Sequence, residues 1–168
     1  MPAGETKLFN LFDEINIKTT TYRHPPLHTV EESRKLRGEI LGEHCKSLFL
    51  KDKKDNYLLV VMSEDRALDM KALFKSQQIN VGRLSFVSAD KMFDMLGIKP
   101  GAVTPFCLIN VKHSNLKIIL DKQMMEHDIV NYHPLHNEAT TSIKPKDLLK
   151  FIHHFNFNPT IIDFDNLG

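Results

Sequence analysis

Cys45-Lys46-Ser47-Leu48-Phe49-Leu50-Lys51, then Asp52-Lys53-Lys54-Asp55-Asn56, then Tyr57-Leu58-Leu59-Val60-Val61-Met62 is the stretch on which the fold turns. Two apolar, β-prone runs of strand length flank a short polar link, and that pattern predicts a β-hairpin. The link is too short for a parallel crossover, so the two strands are expected to run antiparallel. The lysines of this region, Lys46, Lys51, Lys53 and Lys54, are broken up by Asp52 and Asp55. By themselves they describe a solvated turn better than a phosphate track.

Upstream of the hairpin, Leu8, Leu11, Phe12 and Ile15 recur at helical spacing and predict an amphipathic helix. Thr19 to Arg23 reads as a short strand, halted by Pro25 and Pro26. Thr29-Val30-Glu31-Glu32 fits a capping box that would start a helix running towards Gly38. Downstream, Leu68, Ala72 and Leu73 mark a helix that ends before Ile79, and Ser88 is a plausible N-cap for a helix through Met92, Phe93 and Leu96, with Gly97 just past its end. Phe106 to Val111 and Leu116 to Leu120 are expected to form another strand pair, and Ile129 to Tyr132 a further strand. Lys144-Pro145 opens a last helix through Leu148, Leu149 and Ile152, and Thr160 to Asp163 is placed at a sheet edge. The expected fold class is α/β: a mixed, mostly antiparallel sheet surrounded by helices, as a single domain over residues 1–168.

Composition narrows the function classes. At 168 residues, 42% hydrophobic and 26% charged, the chain has the apolar content for a core and is not disordered in composition. No stretch reaches the length of about 20 apolar residues that spans a bilayer, and Met1 to Lys7 lacks the apolar run of a signal peptide, so neither membrane nor export is expected. The net charge of +1 lacks the basic excess common in nucleic-acid domains and names no partner. Two cysteines are too few for a disulfide framework, and a reducing cytoplasm is the expected compartment.

Three groups of residues invite a chemical reading. The nine histidines include His133 and His136, but Pro134 lies between them and no HExxH pattern occurs. No metal is expected. Cys107 sits in the apolar run Phe106-Cys107-Leu108-Ile109, and strand alternation turns Cys45 away from His44 and Lys46, so both thiols read as structural. The segment Gly101-Ala102-Val103-Thr104-Pro105 could present backbone N–H groups to a carbonyl oxygen or phosphate, or could be a plain connection.

Four blocks in order add a family likeness: His24-Pro25-Pro26-Leu27-His28-Thr29-Val30-Glu31-Glu32, Lys46-Ser47-Leu48-Phe49-Leu50-Lys51-Asp52, Pro100-Gly101-Ala102-Val103-Thr104-Pro105-Phe106, and Asn131-Tyr132-His133-Pro134-Leu135-His136-Asn137 with Thr140-Thr141. Through them the chain, from about Phe9 to about Phe155, resembles the YbaK/ProX family of aminoacyl-tRNA deacylases, and within it the freestanding alanyl-tRNA(Pro) deacylases. The resemblance implies ester hydrolysis without metal, cofactor or protein nucleophile, in which a free hydroxyl of the terminal adenosine helps to activate water. It implies that Lys46 holds the acceptor end, that Gly101, Ala102, Val103, Thr104 and Pro105 form the GxxxP loop on the ester, and that His133 lies in the pocket. Asn137, Thr140 and Thr141 fall in the same motif and are assigned to substrate binding. His28, where the family pattern has a less ionisable side chain, and His136, in a variable slot, are departures that the plainer reading puts at the periphery.

The expected partner is therefore the acceptor end of tRNA(Pro), with prolyl-tRNA synthetase a second candidate. The same chemistry on a cysteinyl- or seryl-tRNA, and a non-catalytic tRNA- or synthetase-binding module of the same fold, are the competing expectations.

Overall fold

A computed structural model of the chain describes residues 2–27, 30–112 and 115–167. The proposed cap Thr29 and the divergent His28 lie outside the described residues.

The opening hairpin is the spine of the sheet. β2 (Glu43–Lys51) and β3 (Tyr57–Ser63) pair antiparallel from Cys45 opposite Ser63 to Lys51 opposite Tyr57. With β1 (Thr20–Arg23), β4 (Ser85–Phe86), β5 (Leu116–Asp121), β6 (Val130–Tyr132), β7 (Ala139–Ile143) and β8 (Thr160–Ile162), they make an eight-stranded sheet in the order β1-β7-β6-β2-β3-β5-β8, with β4 beside the end of β2. Four pairings are antiparallel, while β2–β6, β3–β5 and β5–β8 are parallel. The mixed sheet expected from the sequence is present, and its parallel members are those joined by long helical connections rather than turns.

The helices largely follow their local signals: α1 (Glu5–Glu14), α2 (Val30–Glu39), α3 (Met70–Lys75), α4 (Ala89–Leu96), α5 (Lys122–Met125) and α6 (Pro145–His154). The Ser88 hydroxyl accepts the Lys91 N–H, and Gly97 takes a left-handed φ of 68° just past α4, as its residue type favours.

One expectation fails. Phe106 to Val111 is not a strand, because Pro105–Asn110 is a 3₁₀ helix. Pro105 has no N–H for a ladder, and the Thr104 hydroxyl accepts the Phe106 N–H, so helical turns start here. β5 therefore has other neighbours, β3 and β8. The period-two pattern could not separate a short buried helix from a buried strand.

Apolar side chains cover both faces of the central strands. On the first face Phe49, Leu59, Val61, Ile118 and Leu120 pack with Leu8 and Phe12 of α1, Met95 of α4, Phe106 and Phe151 of α6. On the second, Leu50, Leu58, Val60, Met62 and Ile119 pack with Leu73 of α3, Ile79 and Ile162. Burial on both faces explains why β3 reads as an unbroken apolar run rather than an alternation.

Candidate active site

Alternation along β2 puts Leu48 and Leu50 on the second face and Cys45 and Phe49 on the first. Lys46 therefore belongs to the second face, opposite Met62 of β3, and is half-buried at the rim of that core. β6 lies parallel to the start of β2, with His44 level with Asn131, and the same register carried two residues further on each strand sets His133 level with Lys46. β7 pairs with β6 at Tyr132 and Thr141, and the next step sets His133 beside Thr140. Lys46, His133 and Thr140 are thus gathered on one face at one end of the sheet, although 94 residues separate the first from the last.

Thr141 is not among them. It is buried on the first face, where its hydroxyl meets that of Thr21 at 2.9 Å. Asn137 lies in the β6–β7 loop, half-buried. That loop bends through Leu135 at a φ of 74° and is fastened by His136, whose Nδ1 accepts the Glu138 N–H at 3.1 Å while its Nε2 meets Glu5 Oε1 at 2.6 Å. Arg23 on β1 grips the same carboxylate with both terminal nitrogens. Its hydrogen bonds, joined by the one from His136, outweigh burial and hold Glu5 down at about 2. Glu5, Arg23, His24, His136 and Glu138 line an open cavity of about 580 Å³ at this margin.

The protonation of His133 follows from its neighbours. Its Nδ1 lies 3.2 Å from the Ala139 carbonyl oxygen, which can only accept, so Nδ1 carries the hydrogen and Nε2 is left as an acceptor. Burial lowers its pKa, with His24 and His136 acting in the same sense and the Ala139 bond and Glu64 opposing. At neutral pH His133 is an uncharged hydrogen-bond acceptor.

The Gly101–Pro105 loop is anchored on the first face. Phe106, fully buried, meets the rings of Phe12, Tyr132 and Phe151 at centroid distances of 5.2, 5.7 and 5.4 Å. Tyr132, the last residue of β6, immediately precedes His133, so one of the rings that hold the loop's anchor adjoins the pocket histidine. Gly101 has a φ of 90°, a conformation that glycine adopts without penalty. Ala102 N–H is used on the Lys99 carbonyl, whereas those of Gly101, Val103 and Thr104 have no partner among the described residues. No hydrogen bond joins this loop to Lys46 or His133 among the described residues.

The thiols are poor nucleophiles here. Burial pushes both Cys45 and Cys107 far above the usual thiol range. Among the described residues no three His, Cys, Asp or Glu side chains are placed to hold a metal, and no helix is long and apolar enough to cross a membrane.

Two neighbours of the pocket escaped the sequence reading. His24, at the start of the first sequence block, has Nε2 2.8 Å from Thr140 Oγ1. Glu64, just beyond β3, accepts the Ser33 hydroxyl of α2 at 2.8 Å on the same face. Neither had a signal of its own, since each reaches the pocket only through strand pairing.

The model of the aminoacyl-tRNA editing domain matches residues 24–151, a span that holds all four sequence blocks together with Lys46, the Gly101–Pro105 loop, His133 and Thr140. The chain belongs to the aminoacyl-tRNA editing domain family. This editing domain is 35% identical over 152 residues to prolyl-tRNA synthetase associated domain-containing protein 1 of Bos taurus, covering 89% of this chain and 88% of that protein. It is 34% identical over 141 residues to the prolyl-tRNA editing protein ProX of Acetoanaerobium sticklandii, covering 83% and 85%. A solved structure described as a candidate trans-editing enzyme for prolyl tRNA synthetase superposes with a TM-score of 0.71 at 17% identity, over 97% of this chain and 98% of that one. That likeness supports the fold.

Proposed function

We propose that this editing domain is a trans-editing hydrolase that deacylates mischarged tRNA in the cytoplasm, with alanyl-tRNA(Pro) as its substrate. The observation that carries the reading is the neutral His133, its Nδ1–H committed to Ala139 and its Nε2 open as an acceptor, just past the end of β6 on the strand that pairs with the start of β2.

In this mechanism Lys46, a compact cation on a flexible stem, contacts a phosphate of the acceptor end. The loop Gly101, Ala102, Val103, Thr104 and Pro105 offers its uncommitted N–H groups to the ester carbonyl, where negative charge develops as water attacks. His133 Nε2 accepts a hydrogen bond from that water or from the free ribose hydroxyl beside the ester. The carbon–oxygen bond to the ribose then breaks, the ribose oxygen takes a proton, and the amino acid leaves as its carboxylate. Neither thiol is required, in keeping with how far each lies above the usual thiol range. Asn137 at the pocket margin contributes to substrate binding, and Thr141 supports the wall from behind through Thr21.

The need for such an activity follows from selection limits. A pocket sized for one small apolar amino acid cannot strongly reject a smaller one, since a methylene is worth about 1–3 kcal/mol. Alanine on a proline tRNA is an error of that type, which the prolyl-related names of the relatives favour. Prolyl-tRNA synthetase is the matching protein partner.

The test is deacylation of proline tRNA charged with alanine, proline, serine or cysteine, with and without a chelator. Alanine is expected to leave fastest, at the same rate in both conditions. Release of none of the four above the spontaneous rate leaves a non-catalytic binding module. Faster release of serine or cysteine reassigns the substrate.

A further inference from the structure

We propose that Thr140, oriented by His24, receives the α-ammonium group of the substrate, so that the site selects aminoacyl esters with a free amine. This rests on the hydrolase reading above and names the group that one side of the pocket recognises.

The hydrogen bonds settle which way the Thr140 hydroxyl points. His24 Nδ1 lies 2.9 Å from the Pro25 carbonyl oxygen, which can only accept, so Nδ1 carries a hydrogen. In the neutral ring Nε2 is then an acceptor, and its partner at 2.8 Å is Thr140 Oγ1. The hydroxyl hydrogen is committed to His24. What Thr140 retains for a ligand is lone pairs alone. A freely rotating threonine could serve a donor or an acceptor; this one serves only a donor.

His133 has the same polarity for the same reason, with Nδ1–H spent on Ala139 and Nε2 left as an acceptor. The β6–β7 ladder, continued by one residue, sets these two acceptors side by side. The Glu64 carboxylate, on the same face and close enough to act on His133, adds negative charge. Two fixed acceptors near a carboxylate suit a cation with several N–H groups, and the α-ammonium of an aminoacyl ester is one. An N-acylated ester has a single N–H, no charge, and a carbonyl oxygen that meets no donor on these two side chains. His24 acts through Thr140 and is a positioning residue.

The experiment compares kcat/KM for alanyl-tRNA(Pro) and N-acetylalanyl-tRNA(Pro) in the wild type and in Thr140→Val, Thr140→Ser and His24→Ala, each checked by a thermal melt. A hydrogen bond to a charged group corresponds to a free-amine preference of about 10- to 100-fold in the wild type. Thr140→Val should lose most of that preference, His24→Ala, which frees the hydroxyl to donate to the acetyl carbonyl as well, should lose a smaller part of it, and Thr140→Ser should keep it. The ratio of the two activities is the readout, so a general loss of activity from structural damage does not mimic the result. Equal rates on both substrates in the wild type, or a proportional fall on both in Thr140→Val, overturn the proposal while leaving the hydrolase reading standing. Hydrolysis of neither by the wild type removes both. If Thr140→Val does not fold, His24→Ala decides: loss of preference supports the assignment and retention overturns it.

Discussion

Replacing Gly101 by alanine separates the backbone contribution of the GxxxP loop from everything around it. A Cβ at this position would meet nothing within 4 Å, so the substitution adds no clash. Its whole cost is backbone strain, because the φ of 90° lies in the left-handed region. For an L-residue that strain is about 1–2 kcal/mol. In a chain of this size about 1 kcal/mol moves Tm by roughly 2–4 °C, so the expected fall is about 2–8 °C. Activity should suffer more. With open space around it, the loop relieves the strain by turning towards negative φ, and that swings its N–H groups off their target. If one such donor stabilises the developing oxyanion, the deacylation rate should drop by about 10²–10³.

Gly97→Ala is the matched control. There φ is 68° and a Cβ would stand 2.7 Å from Pro2 Cβ and 2.8 Å from Asn110 Nδ2. The loss of stability should exceed that of Gly101→Ala, whereas the rate, measured well below Tm, should fall far less. Thermal melts paired with alanyl-tRNA(Pro) deacylation distinguish the cases. A Gly101→Ala protein with the expected drop in Tm and wild-type kcat/KM would refute the loop's catalytic role. An unchanged Tm would refute the strain argument itself.

Lys46→Ala should leave Tm close to wild type, because Lys46 is only half-buried at the rim of the core, while kcat/KM falls and its log–log salt slope flattens by about one. Unaltered kinetics would remove Lys46 from the site. Asp52 offers a pH test of the hairpin turn. Burial favours its neutral form, but N–H bonds from Gly82, Asn56 and Lys54 and the Asn56 side-chain amide outweigh this and hold it at about 2, below its ordinary 3.8. A folded pKa below the unfolded one stabilises above 3.8, and that contribution is lost as pH falls from there through about 2. Asp52→Asn should therefore cost about 2 kcal/mol in urea unfolding at neutral pH. The gap to wild type should close over that acid window, and a gap independent of pH would overturn the assignment.

How far the chain could be read in advance depended on the range of the interactions concerned. The hairpin, the Ser88 cap and the Gly97 stop were legible because each is decided within a few residues. β7 was missed: Ala139-Thr140-Thr141-Ser142-Ile143 has little apolar alternation and becomes a strand by pairing with both β1 and β6. β4, two residues long, exists only against the end of β2. The 3₁₀ helix after Thr104 was misjudged because burial on all sides erases periodicity. In the pocket, motif order pointed to Lys46, the loop and His133, but it gave Thr140 and Thr141 equal standing. Neighbours in a strand face opposite ways, and only the pairing partner tells which way is in.

The residue order alone thus determined the local matters: where helices begin and stop, the central hairpin, the absence of a strong charge bias, and the ordered motifs that mark an aminoacyl-tRNA editing domain. Tertiary structure decided the chemistry of the pocket. Whether His133 is charged, which of its nitrogens carries the hydrogen, and which way the Thr140 hydroxyl turns depend on desolvation and on partners brought from distant positions, Ala139 for the first histidine and His24 for the threonine 116 residues away. Such quantities are set by distance in space, and a chain that is not yet folded does not possess them.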